Sequence, residues 1–294
     1  MAQPIVGTSS APARPCVLVF AGVDPSGGAG VYADVQAIAA TGAHALAVVT
    51  VLTVQDHNRV HAVYAVPTSQ VQAQAEALMA AVPIAAVKIG IVGSRANAEC
   101  IAGLLIRLKL INPDLPVVLD PVLASGHGDA LTREDALAVI EPLLAHATLI
   151  TPNLPEAAAL CHSLPQDSRH DSHPSGLPNS QSAAALIARG AQHVLIKGGH
   201  GLGDSVVNAW FASDGRHRTW EWPRLPGEFH GSGCTLASAI AGQLARGVAI
   251  EQAIAQGQAY CQQTLEQAFA IGPGQQIPNR TRDCAHTWAT EQKS

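Results

Sequence analysis

Five short, continuous apolar runs, each followed by an Ala-rich stretch with helical spacing, most limit what this chain can fold into. Residues 16–21, 45–54, 86–89, 116–119 and 148–150 read as strands, and residues 30–41, 69–81, 96–108, 133–145 and 154–161 as the helices that follow them. A strand that is apolar at every position, without alternation, is buried on both faces. Strand–helix units repeated in this way require right-handed crossovers and a parallel arrangement. The expectation is an α/β fold: a three-layer α/β/α domain with a mostly parallel central sheet.

Beyond the fifth unit the pattern breaks. Residues 163–181 are polar and rich in Pro, Ser and His, which reads as a mobile loop insertion. Histidines at 162, 170, 173 and 200 repeat no ligand spacing, so a solvated insertion is favoured over a metal site. A helix over 183–189, a strand over 193–197 and hairpin strands over 205–212 and 216–222 follow, then two Ala-rich helices over 233–246 and 250–270. The expected organisation is a flexible tail over 1–15, a single domain over 16–272 and a peripheral C-terminal tail over 273–294.

A formal charge of -5 with only 17 Lys and Arg leaves no electrostatic footprint for nucleic acid or an anionic membrane surface. The apolar run at 45–54 is too short to span a bilayer. Residues 1–15 lack the apolar core of about 7–15 residues that a signal peptide needs. The six cysteines form no CxxC pair, so reduced thiols in a cytoplasmic protein are the simpler reading, with no zinc site.

Five polar or Gly-rich segments follow strands, where open parallel sheets bind ligands. The first, Gly22-Val-Asp-Pro-Ser-Gly-Gly-Ala-Gly30, permits close backbone approach ahead of a helix N-terminus, but it is neither a Walker A loop nor GxGxxG. Leu119-Asp-Pro-Val122, Thr151-Pro-Asn-Leu-Pro-Glu156 and Ile196-Lys-Gly-Gly-His200 come next. The last, Gly231, Ser232, Gly233 and Cys234, opens a helix as a nest of backbone N–H groups on a positive dipole end. Such a nest suits the charge on a phosphoryl group in flight. Cys234 in its first turn is expected to have a lowered pKa and to take a proton from an attacking hydroxyl. Asp120 and Glu156 are the candidate Mg²⁺ carboxylates, or else helix N-cap and dipole partners. Asn153, Lys197, Gly199, Gly231 and Gly233 are the candidates for nucleotide phosphates, with a surface role for Lys197 the competing reading.

On these residues the chain resembles the ribokinase-like superfamily, and within it the hydroxymethylpyrimidine/phosphomethylpyrimidine kinases of thiamine biosynthesis. The resemblance runs from about Val17 to Gly247 through Ala21–Asp34, Val87–Gly90, Val118–Val122, Thr151–Ala157, Lys197–His200 and His230–Thr235. Cysteine at position 234 stands where most superfamily members carry aspartate. The resemblance implies a ribokinase-like fold, ATP and Mg²⁺ as cofactors, and two successive transfers, first to the hydroxymethyl oxygen and then to the monophosphate. It implies a pyrimidine lying against Gly22, with Asp34 and Gln55 bonding its edge and Thr53, Ile91 and Val122 lining the pocket. It also suggests a homodimer. Tyr32, Val54 and Asp56 depart from the residues usual in related chains, as does the stretch Ala124-Ser-Gly-His-Gly128.

Two other readings stand beside this one. Pyridoxal kinase of the same superfamily acts on a similar hydroxymethyl ring, and Gln55 with Asp34 favours the aminopyrimidine. A non-catalytic pyrimidine-binding module is the reading from another class, and the intact nest with Cys234 argues against it.

Overall fold

Strand β1 (Cys16–Val23) shows why the sheet sits at the centre. Leu18 and Phe20 point into one core, Val17, Val19 and Ala21 into another, and all five are at most 1% exposed. A strand with both faces covered must lie between two helical layers. The computed structural model describes residues 13–162 and 179–281.

The elements in chain order are β1, α1 (Gly30–Ala40), β2 (His44–Gln55), β3 (Val60–Ala65), α2 (Thr68–Ala81), β4 (Ile84–Ile89), α3 (Arg95–Ile111), β5 (Val117–Leu119) and α4 (Ala136–Leu144). They continue with β6 (Leu149–Ile150), α5 (Leu154–His162), α6 (Ser180–Ala188), β7 (His193–Ile196), β8 (Ser205–Ala212), β9 (His217–Pro223), α7 (Ser232–Ala245) and α8 (Ile250–Glu266). The sheet order is β3-β2-β1-β4-β5-β6-β7-β8-β9. Pairs from β2 through β7 are parallel, while β3, β8 and β9 pair antiparallel. This is the expected α/β/α arrangement with a mostly parallel sheet. Helices α2 to α6 pack on the core that includes Leu18 and Phe20; α1, α7 and α8 pack on the core that includes Val17 and Val19.

The chain places β2 on one side of β1 and β4 on the other, so the winding reverses at β1. A crevice opens outside the strand ends at such a switch point. The segments after β1, β4, β5, β6 and β7 all emerge at that edge, and the start of α7 meets them there.

Several boundaries differ from expectation. Strand β3 was not foreseen; of its six residues only Val63 is buried, the others being half-buried or exposed on an antiparallel edge. Helix α4 starts at Ala136 because Asp135 caps it, accepting a hydrogen bond from the Leu137 N–H at 3.1 Å. Helix α6 begins at Ser180, so the end of the expected insertion is helical, while residues 163–178 lie outside the described residues. Most of the expected N-terminal tail, residues 1–12, also lies outside them.

The segment expected to be a peripheral tail is anchored as far as it is described. Gln275, Ile277 and Arg280 are at most 7% exposed. Gln276 pairs with Phe229, and its carbonyl accepts the His230 N–H at 2.9 Å. Open backbone groups on the 228–230 segment give this stretch a partner, and that pairing overrides its loop-like composition.

Candidate active site

The site is built where two glycine loops touch. Gly231 caps α7 in the left-handed conformation at φ 80°, and a Cβ there would lie 2.0 Å from the Gly28 carbonyl oxygen. Only glycine allows both the dihedral and the approach. Asp24, 1% exposed, organises the first loop: its carboxylate accepts the Ser26 N–H at 2.8 Å and the Ala29 N–H at 2.7 Å. His230 Nε2 meets the same carboxylate at 2.7 Å, which ties the first loop to the residue before the nest. Burial pushes the Asp24 pKa up, but the hydrogen bonds from His230 and Ser26 outweigh it and hold it below the usual carboxylate value. No sequence motif marks this pair, whose members lie 206 positions apart.

Cys234 lies in the first turn of α7 and is partly buried. Its pKa is raised, contrary to expectation. Burial is the largest cause, and the Asp34 and Asp120 carboxylates add to it. The Lys88 ammonium and the Gly30 N–H, which donates to the sulfur, work in the opposite direction without prevailing. A helix N-terminus alone would favour the thiolate; two carboxylates distant in sequence and the loss of water reverse that preference.

Asp120, 1% exposed, directly follows β5. Its Oδ1 accepts the Thr151 hydroxyl at 3.0 Å and the Lys197 ammonium at 2.8 Å. Lys197 is no surface lysine: its side chain is 15% exposed, and Nζ would lie 3.1 Å from a Cβ on Gly233. Burial opposes the Lys197 charge, yet Asp120 and Glu156 raise its pKa, so it is charged over the first turn of α7. Asn153 and Glu156 form a reciprocal capping box at the start of α5: each side chain accepts the other's N–H at 2.8 Å. The cap role weighed for Glu156 is therefore real, and burial raises its pKa against the pull of Lys197. Gly199 sits exposed in the turn after β7, its carbonyl accepting Arg224 Nη1 at 2.8 Å.

The expected pyrimidine residues divide into two groups. Gly22, Ile91 and Val122 sit at the strand ends, and Ile91 and Val122 share a small apolar cavity with Gly90, Leu131 and Val139. Thr53 and Gln55 are half-buried at the end of β2, with the Thr53 hydroxyl donating to the Val23 carbonyl at 2.8 Å. Asp34 departs from its expected role. It is fully buried on α1, both oxygens accept Lys88 Nζ at 2.9 Å, and Oδ1 also accepts the Ser238 hydroxyl at 2.7 Å. A carboxylate committed to three internal hydrogen bonds, from Lys88 and Ser238, is not presented to a ring edge. Burial opposes the Lys88 charge, but Asp34, Cys234 and Asp120 raise its pKa. The missed signal was a lone lysine inside an apolar strand, which demands a buried partner.

Oxygen donors suit Mg²⁺, which takes one or two carboxylates together with substrate phosphates and water. Asp120 and Glu156 supply such a pair, close enough for each to act on the same Lys197. Among the described residues no cluster of three or more His, Cys, Asp or Glu could hold a metal ion, so any protein contribution is limited to this kind of partial shell.

Comparison with known proteins fits this geometry. The chain matches the family described as phosphomethylpyrimidine kinase over residues 24–279. It is 37% identical over 263 residues to a hydroxymethylpyrimidine/phosphomethylpyrimidine kinase of Streptomyces coelicolor, covering 88% of this chain and 92% of that one. The crystal structure of phosphomethylpyrimidine kinase from Clostridium difficile superposes with a TM-score of 0.69 at 30% identity, covering 86% of this chain and all of that one. A pyridoxal kinase from Staphylococcus aureus, in complex with AMP-PCP and pyridoxal, shares the fold with a TM-score of 0.75 at 24% identity, covering 91% and 94%.

Proposed function

Because the chain belongs to the phosphomethylpyrimidine kinase family, we propose that its cleft transfers phosphoryl groups through the nest at Gly231–Gly233, with Cys234 as the base. The chain is a kinase of thiamine biosynthesis that uses ATP to phosphorylate 4-amino-5-hydroxymethyl-2-methylpyrimidine and then the monophosphate. The hydroxymethyl O–H gives its proton to the Cys234 sulfur as the new O–P bond forms. The bond from the γ-phosphorus to ADP breaks, and the thiol proton later passes to solvent.

The single observation that carries the site assignment is the convergence on one helix start. The Gly231 cap, the Cys234 thiol and the Lys197–Asp120 pair all meet the first turn of α7. Backbone N–H groups and a fixed cation there oppose the charge developing on the transferred group. Lys197, Asn153 and Gly199 face the nucleotide phosphates in this reading. Mg²⁺ held by Asp120 and Glu156 would supply charge neutralisation on the phosphate oxygens. The pyrimidine lies over Gly22 between Gln55, Ile91 and Val122, and Asp34 supports that floor from beneath through Lys88 in place of bonding the ring.

A coupled ADP-release assay tests this with hydroxymethylpyrimidine, its monophosphate and pyridoxal in parallel. ADP release with the first two is expected. Release with pyridoxal alone would transfer the chain to the alternative substrate, and no release with any of the three would favour the non-catalytic binding module.

No helix among the described residues is long and apolar enough to cross a membrane; the location we propose, cytoplasmic, rests on the reduced thiols read from the scattered cysteines. A homodimer is the assembly we infer. Leu52 and Tyr64 are cross-strand partners on β2 and β3, and both are 52% exposed with Val54 beside them at 51%. An apolar row on a hairpin face suits burial against a second copy. Sedimentation is expected to give a dimer for the chain and a folded monomer for Leu52→Lys; a monomeric parent chain would remove the inference.

A further inference from the structure

Arg280 comes from the anchored C-terminal segment, yet it reaches under the active-site loops. It is 4% exposed. Its Nη2 donates to the Gly28 carbonyl at 2.6 Å and to the Gly231 carbonyl at 3.4 Å. Its Nε donates at 2.7 Å to the Thr235 hydroxyl, which itself donates to the Gly231 carbonyl at 2.9 Å. One guanidinium thus spans both glycine loops and the first turn of α7. Its Nη1 is buried without a hydrogen-bond partner. A buried donor left unpaired is unfavourable, so the surroundings hold this charge in place against its own desolvation.

We propose that Arg280 is a positioning residue for phosphoryl transfer: it draws the Gly28 and Gly231 carbonyls onto itself, so that the N–H groups of the nest stay directed at the transferred group and the Cys234 thiol at the attacking hydroxyl. This rests on the kinase reading above. Carbonyl oxygens facing a phosphoryl group would repel it, and the planar fork of arginine fixes the angle between Nη2, which takes both carbonyls, and Nε, which takes the Thr235 hydroxyl. The delivery is backbone-coded as well. Gln276 pairs with Phe229, the His230 N–H donates to the Gln276 carbonyl at 2.9 Å, and the Asn279 N–H donates to the Thr264 carbonyl at 2.9 Å. Those bonds lay the segment beside the nest and bring Arg280 to its base. Burial lowers the Arg280 pKa while Cys234 opposes that shift, which agrees with a charge held close to the thiol.

The test uses the full chain with Arg280→Met and Arg280→Lys, each checked for folding by circular dichroism. Two readouts are kinetics and the rate of Cys234 alkylation by iodoacetamide at pH 8, followed by peptide mass spectrometry. Arg280→Met is expected to lower kcat about 10²-fold, as loss of preorganised charge stabilisation does, with KM for the pyrimidine within about threefold. Alkylation is expected to slow several-fold, because a nearby cation favours the thiolate. Arg280→Lys keeps the charge and restores alkylation, but without the fork it does not restore kcat.

A residue that merely anchors the segment would act in the opposite direction: its loss would loosen the loops and speed alkylation. Faster alkylation, or kcat within about twofold of the parent in folded Arg280→Lys, overturns the proposal. If Arg280→Met does not fold, Arg280→Lys decides alone. A parent chain that releases no ADP would sink the kinase reading instead, while the alkylation comparison still judges the action of Arg280 on the thiol.

Discussion

Cys234→Ala is expected to lower kcat by about 10²–10⁴-fold, the usual contribution of a positioned general base, while the Kd for hydroxymethylpyrimidine changes less than about twofold. The thiol accepts a proton only as the transition state forms, so its loss touches turnover and spares ground-state binding. Cys234→Ser is no rescue, because a hydroxyl at that position ionises far less readily than a thiol. Isothermal titration for binding and steady-state kinetics for turnover separate the two effects. A variant with unchanged kcat would leave Cys234 as packing and return the chemistry to the nest alone.

The second large effect concerns the ion pair beneath the site. Lys88, Asp34 and Ser238 are all fully buried, and Lys88 and Ser238 both donate to the Asp34 carboxylate at 2.7–2.9 Å. Removing one partner of a buried pair leaves an unpaired charge, so Lys88→Met is expected to lose about 3–5 kcal/mol of stability. The double variant Lys88→Met/Asp34→Leu removes both charges and should recover most of that loss in urea denaturation. Catalysis should not recover with it. Lys88 is the residue whose charge most favours the Cys234 thiolate, so both variants keep a low kcat. The Lys88 pKa is raised in the fold, so its stabilisation is complete below the ordinary lysine value of about 10.4 and is lost only as pH climbs beyond it. A single variant as stable as the parent would mean that the pair is dispensable. A double variant with full activity would remove Lys88 from the catalytic account.

How much was legible in the sequence depends on the distance over which each feature is decided. Strands such as β1 and β4 show in the chain as unbroken apolar runs, because burial on both faces leaves no room for alternation. The site loops are legible for a related reason: glycines and carboxylates directly after buried parallel strands stand where an open sheet meets its ligand. Strand β3 was not legible, since six residues of which only Val63 is buried gain their identity only by pairing with β2.

Asp34 was assigned to the ligand because nothing within its own helix reveals Lys88, 54 positions away. The Cys234 shift was misjudged in direction for the same reason. The helix terminus is visible in Gly231-Ser232-Gly233, whereas the burial and the carboxylates that overrule it arrive from α1 and β5. Arg280 lies in a stretch whose composition reads as a loop, and its purpose is fixed by pairing with residues some fifty positions earlier.

The central claim is most directly tested by single-turnover transfer of the labelled γ-phosphoryl group from ATP to hydroxymethylpyrimidine, measured across pH in the parent chain and in Cys234→Ser. Because the thiol pKa is raised in the free protein, kcat/KM for the parent should climb about tenfold per pH unit through neutrality and continue past about pH 8.5, where an ordinary thiol levels off. Cys234→Ser should lose that limb and run slower throughout. A flat parent profile, or a serine variant that matches it in rate and pH dependence, would contradict proton removal by Cys234.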